Sequence, residues 1–181
     1  MSLAIICSVA LVLLMGGGYL LLLTLAPLFF DKPGVWPTTH RLVSSLLIII
    51  LGTGLAMFVA ALISDPQLAN RVLHALAGGF MAFVTCYLVV RDSGIPISRF
   101  QFFIIAALTV TMLGVGNELV EFGLQEWTGH IFSPTTIDTW QDLTSNTVGI
   151  LIAACIFTPF HKKSRQVACP DTNIGIVSPL P

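Results

Sequence analysis

The apolar residues of this chain come in five long blocks, each closed by a short polar break. A helix needs about 20 apolar residues to cross the hydrocarbon core of a bilayer. Blocks of that length, repeated, leave few soluble folds open. On that measure the spacing predicts helices over about 3–29, 42–63, 68–90, 98–127 and 138–159. The expected fold class is therefore all-α: a polytopic membrane helix bundle with about five transmembrane helices and one membrane domain over 1–160. The breaks carry ordinary stop and turn signals: Pro33-Gly34, Asp65-Pro66 and the run Arg91 to Pro96. Asp65 and Pro66 also suit the N-cap and first position of the third helix. The first block lacks a basic leader and exceeds the roughly 7–15 apolar residues of a signal peptide, so it is read as a spanning helix. Only 9% of the residues are charged, against roughly 25% in soluble domains. No basic patch with interleaved aromatics exists, which excludes a nucleic-acid partner.

The distribution of Lys and Arg predicts an orientation. Lys32, Arg41, Arg91, Arg99, Lys162, Lys163 and Arg165 fall at one set of helix ends, and Arg71 alone at the other. The N-terminus is expected outside and the C-terminus in the cytoplasm, with residues 161–181 forming a disordered cytoplasmic tail. Asp31, Asp65 and Asp92 read as turn and cap residues, and His161 as part of a basic flank. The cysteines read as buried packing residues with no CxxC pairing. Gly16, Gly17 and Gly18 would loosen the first helix or admit a close neighbour.

One stretch breaks the apolar pattern. Residues 117–149 hold Glu118, Glu121, Glu126, Asp138 and Asp142, five of the nine acids, and no Lys or Arg. Acids near a bilayer are expensive and need a reason to be there. Counting from the basic anchors places them. His74 lies 17 residues from Arg91, Glu118 lies 19 from Arg99, and Asp142 lies 20 from Lys162. At 1.5 Å per residue these are about 25, 28 and 30 Å, one depth at the outer boundary. Glu118, Glu121 and Gln125 share one helical stripe, as do Asp138, Asp142 and Asn146. Gly78, on the face of His74, would admit a neighbouring helix.

Such a cluster could hold a hard divalent cation, work as an acid/base pair, or line a proton or cation path. It could also be a structural clasp of interhelical hydrogen bonds, worth about 0.6 kcal/mol each in membranes. The inner halves of the last three helices offer only threonines, which argues against a path. There is no HExxH, GxSxG, P-loop or GxGxxG element.

The pattern His74-x3-Gly78-Gly79, then Asn117-Glu118-Leu119-Val120-Glu121-Phe122, then Asp138-Thr139-Trp140-Gln141-Asp142-Leu143 with Asn146 and Gly149 resembles the VanZ-like and YjdF-like small integral membrane proteins of bacteria. It covers about residues 70–157. The resemblance implies a multi-pass protein of the bacterial cytoplasmic membrane, and it carries over His74, Glu118, Glu121, Asp138, Asp142 and Asn146 as site residues. Two functional readings stand beside it. In one, an outward-facing His/Glu/Asp pocket binds or processes a lipid head group or envelope precursor, with Glu121, Asp142 and His74 as ligands of a divalent cation. In the other, a non-catalytic membrane protein uses the polar cluster to fix helix packing or a partner interface. Whether the chain is an enzyme stays open between them.

Overall fold

The computed structural model describes residues 3–30, 36–129 and 136–161. They form five helices: α1 (Leu3–Phe29), α2 (Thr39–Ala61), α3 (Pro66–Ser93), α4 (Arg99–Thr128) and α5 (Thr136–Phe157). No strand occurs among the described residues. The expected tail beyond His161 and most of the loop between α4 and α5 lie outside the described residues.

Local chemistry fixes the helix ends. Asp65 caps α3 by accepting from Gln67 N at 2.9 Å, with Pro66 in the first turn. Ser98 and Gln101 close a reciprocal capping box on α4. Gly94 and Gly129 end α3 and α4 in the left-handed region, at φ 65° and 70°, where a Cβ would be strained.

Helices α1 to α4 are long and apolar enough to cross a membrane. α5, with 22 residues, spans about 33 Å. Its first half carries Asp138, Gln141, Asp142, Ser145 and Asn146, so composition alone does not make it a span. Position supplies what composition lacks. α5 runs parallel to α3 and alongside it, with Asp142 against Asn70 and His74, Asn146 against Gly78, and Phe157 against Phe80 and Tyr87. Asp142 and Asn146 of this half are buried against protein, which is how such residues are tolerated near a bilayer.

α3 is the axis of the bundle. Residues Met81 to Cys86, Leu88 and Val89 are buried all round, as expected of a helix with neighbours on every side. α1 and α2 pack on one flank of α3, α4 and α5 on the other. α4 runs antiparallel to both α3 and α5: its start sets Phe102 edge-to-face against Phe83 and Tyr87 and stacked on His161, and its far end brings Glu118 to His74 and Asp142. Leu13, Leu51, Phe58, Leu108, Met112 and Leu151 lie exposed on the outer faces. Outward-facing apolar residues on α1 to α4 are what helices apolar enough to cross a membrane require.

From His74 to Met81, α3 widens into a π-helix, a departure that proteins frequently place at functional sites. The widened segment is where α5 comes closest. A Cβ built on Gly79 would lie 2.9 Å from Gly149 Cα, and one on Gly149 would lie 2.8 Å from Phe80 N. Gly78 meets the side chain of Asn146 in the same way, as its place on the His74 face predicts. The glycines of α1 do not: Gly16 has only Leu46 nearby, at 3.9 Å, and Gly17 and Gly18 have no neighbour within 4 Å of a built Cβ.

A second polar cluster sits at the opposite end of the bundle. Asp92 is buried, and its carboxylate accepts from Tyr19 Oη at 2.8 Å, from Ser45 Oγ, and from Arg91 Nε at 2.8 Å. Arg91 Nη2 also donates to Ser45 Oγ at 2.7 Å. Asp92 is therefore no simple turn residue; it ties α1, α2 and α3 together. The buried Asp92 carboxylate is hydrogen-bonded from three side chains, while its exposed partner Arg91 keeps access to solvent. His161 is likewise more than a basic flank. It is buried, stacks on Phe102, lies with Nε2 3.0 Å from the Ile97 carbonyl oxygen, and its own carbonyl accepts from Arg99 Nε at 3.0 Å. Of the cysteines, Cys86 is buried as expected, but Cys155 is exposed on the lipid-facing side of α5.

Candidate functional site

Three helices meet at one end of the bundle and bring together one imidazole and two carboxylates. His74 from α3, Glu118 from α4 and Asp142 from α5 each direct a ligand-type atom into one cluster, and these atoms all lie within 4.8 Å of one another. His74 Nε2 stands 3.4 Å from Asp142 Oδ2. Asn70, one turn before His74 on the same face of α3, donates from Nδ2 to both oxygens of Asp142 at 3.0 Å. Asp142 is thus held from one side by an amide and faces the imidazole on the other.

Glu118 is held differently. The residue is buried to 8% relative exposure, and neither carboxylate oxygen has a hydrogen-bond partner. The Thr139 side chain stands against it. An unpaired buried carboxylate is costly, and this one points at two other ligand-type groups. Below the cluster, Asn146 fills the space where the three helices converge. Its Nδ2 would lie 3.1 Å from a Cβ on Gly114 of α4, and its side chain also abuts Gly78 of α3. Small residues on two helices make room for an amide on the third.

The other acids of the polar stretch are not among the three groups that converge, although Glu121 and Asp138 lie near enough to act on the cluster's carboxylates. Glu121 is half-buried and accepts from Asn117 Nδ2 at 2.7 Å, a bond along its own helix. Asp138, a turn before Asp142, is half-buried at the start of α5. Glu126 is exposed near the end of α4. Asn70 was not foreseen as a partner of Asp142. Its i, i+4 spacing from His74, inside the helix expected over 68–90, is the signal that points to it.

Beside the cluster lies an open groove of about 330 Å³ lined by Arg71, Ile137, Trp140, Gln141, Thr144 and Ser145. Arg71 Nη2 donates to the Gln141 side-chain oxygen, while its buried Nε has no partner. The two ion pairs among the described residues, His74–Asp142 and Arg91–Asp92, leave Arg71 out. Arg71 and His74 are one turn apart on α3, and Gln141 and Asp142 adjoin on α5, so the groove and the cluster share a wall.

Chemically, one imidazole nitrogen and two carboxylates form a mixed set suited to borderline or hard divalent ions such as zinc or manganese. Ligand atoms around such an ion lie roughly 3–3.5 Å apart, so the widest separation in the cluster would need to close by up to about 1.5 Å.

The chain matches the model of a family described as "Predicted membrane protein (DUF2238)" over residues 2–163, and it belongs to that family. The match takes in α1 and α2 as well as the polar helices. No curated protein and no solved structure matches it.

Proposed function

We propose that this membrane protein carries a divalent-cation centre at one membrane boundary, with His74, Glu118 and Asp142 as its ligands. The observation that carries the reading is Glu118: a buried carboxylate with two unpaired oxygens, aimed at an imidazole and a second carboxylate. Two ionised carboxylates and a neutral imidazole carry a net charge of about −2, which a divalent ion neutralises where water cannot. Glu118 takes the third ligand place and not Glu121, because Glu121 is already engaged by Asn117. Asn70 orients Asp142 from behind, as outer-shell partners of metal ligands do. Three protein ligands leave coordination positions open. The centre therefore suits a Lewis-acid role toward a polar lipid head group or envelope precursor.

The likeness to VanZ-like and YjdF-like proteins supports a bacterial cytoplasmic-membrane location, and the Lys/Arg distribution supports an outward-facing site. A reporter fused after residue 181 should be active only in the cytoplasm; activity outside would reverse the orientation.

A second reading has its own observation. Asp142 already pairs directly with Asn70 and faces His74 at 3.4 Å, as a structural clasp would. In that case the charges are balanced by protons and the cluster only holds α3, α4 and α5 together. Titration calorimetry of the detergent-purified, chelator-stripped protein with zinc and with manganese separates the two. The expected result is one ion per chain, weakened at least tenfold by Glu118→Gln and unchanged by Glu121→Gln. No heat with either ion would leave the clasp.

A further inference from the structure

We infer that the groove beside the cation centre is a docking site for the phosphate of an anionic phospholipid, with Arg71 as its anchor. The inference rests on the cation reading for the neighbouring centre, but its core observations are separate. Arg71 is the one basic residue at this end of the bundle. Its guanidinium donates to a neutral amide, Gln141, and it belongs to neither the His74–Asp142 nor the Arg91–Asp92 ion pair. A guanidinium held by a neutral amide at the wall of an open groove can receive an anion, and its planar fork matches phosphate oxygens better than an ammonium would.

The groove around it has the composition of an interfacial site. Gln141, Thr144 and Ser145 supply polar groups along one side. Trp140 and Ile137, both 66% exposed, stand at the lips. An indole at this depth is placed as in the aromatic belts of membrane proteins, and it can lie against the glycerol and upper acyl chain while the phosphate turns inward. The volume of about 330 Å³ accommodates a head group and not a whole lipid. The shared wall gives the geometry its chemical sense. A phosphate on Arg71 lies next to the cation position, so one oxygen faces the guanidinium and another the ion. Without the ion the acids of the cluster would repel the same phosphate. The occupied centre therefore raises affinity, and the empty one lowers it.

The test uses short-chain lipids with the full-length protein in detergent. Dihexanoyl phosphatidylglycerol is titrated calorimetrically against wild type, Arg71→Gln, and Gln141→Glu, which sets a carboxylate on the guanidinium without touching the cluster. Dihexanoyl glycerol, lacking phosphate, and inorganic phosphate are run beside it. Phosphatidylglycerol should bind at least tenfold more weakly to both variants. The phosphate-free lipid should not bind, and inorganic phosphate should bind more weakly than the lipid. Equal phosphatidylglycerol binding by wild type and both variants overturns the inference, as does equal binding of the phosphate-free lipid. If Arg71→Gln fails to fold, Gln141→Glu alone decides. Running the series with and without zinc keeps the two readings apart. Lipid binding that depends on Arg71 but ignores zinc sustains this site and removes the shared phosphate. A zinc-loaded protein whose lipid binding ignores Arg71 removes this site and leaves the cation centre.

Discussion

Gly149→Val will leave α3 and α5 unable to pack, and the detergent-purified protein will lose its single cooperative melting transition. A side chain at 149 has nowhere to go. Its Cβ would overlap the Ala75 carbonyl and lie 2.8 Å from Phe80 N, and both are backbone atoms of the π-helical segment. A flexible side chain could swing aside; the backbone of the central helix cannot without dragging α1 and α2 with it. Overpacking a core costs typically 1–3 kcal/mol, and an overlap with backbone on a buried helix sits at or above the top of that range. Gly54→Val is the control, because a Cβ there meets nothing within 4 Å. It should elute and melt like wild type. If Gly149→Val also does so, the close α3–α5 approach is not how this bundle is held. Membranes supply no hydrophobic force between helices, so close backbone approach through small residues is what makes such contacts favourable.

The residues explain which parts of this architecture could be read from the sequence. The spans were legible because the bilayer sets their length: four apolar blocks became four helices of spanning size, with ends displaced by two or three residues. The common depth of His74, Glu118 and Asp142 was legible from the basic anchors, because rise per residue is fixed once a helix is assumed. Which glutamate turns inward was not. Glu118 and Glu121 share a stripe, and only the crossing of α4 over α3 and α5 decides that Glu118 points into the cluster while Glu121 turns back to Asn117. The Asp92 cluster was hidden for a related reason. Asp92 sits beside Arg91 at a helix end, where a cap or a flank is the ordinary expectation. Its partners Tyr19 and Ser45 come from two other helices whose rotation no sequence spacing reveals. The π-helical turn has no clear sequence signature beyond its paired glycines; it follows from α5 pressing against that segment.

Asp142→Asn will separate a cation centre from a clasp by what the metal does to stability. A ligand that binds only the folded state stabilises it by RT ln(1 + [L]/Kd), about 2.7 kcal/mol at 100 times Kd. Wild type melted with zinc at that excess should therefore gain several degrees over chelator-stripped protein. Asn at 142 is nearly isosteric and keeps an oxygen that can accept from Asn70 Nδ2, so the packing of α5 survives. It removes a negative charge that a divalent ion needs from one of the three ligand positions. The variant should melt within a few degrees of stripped wild type and gain nothing from zinc. A clasp predicts the opposite pattern. There the loss of the His74–Asp142 contact lowers the melting temperature of the variant whether or not zinc is present, and wild type shows no response to the ion. The two outcomes differ in whether zinc stabilises the wild type at all, because an ion site commits its carboxylates to a ligand that can be withdrawn, whereas a clasp commits them to the fold.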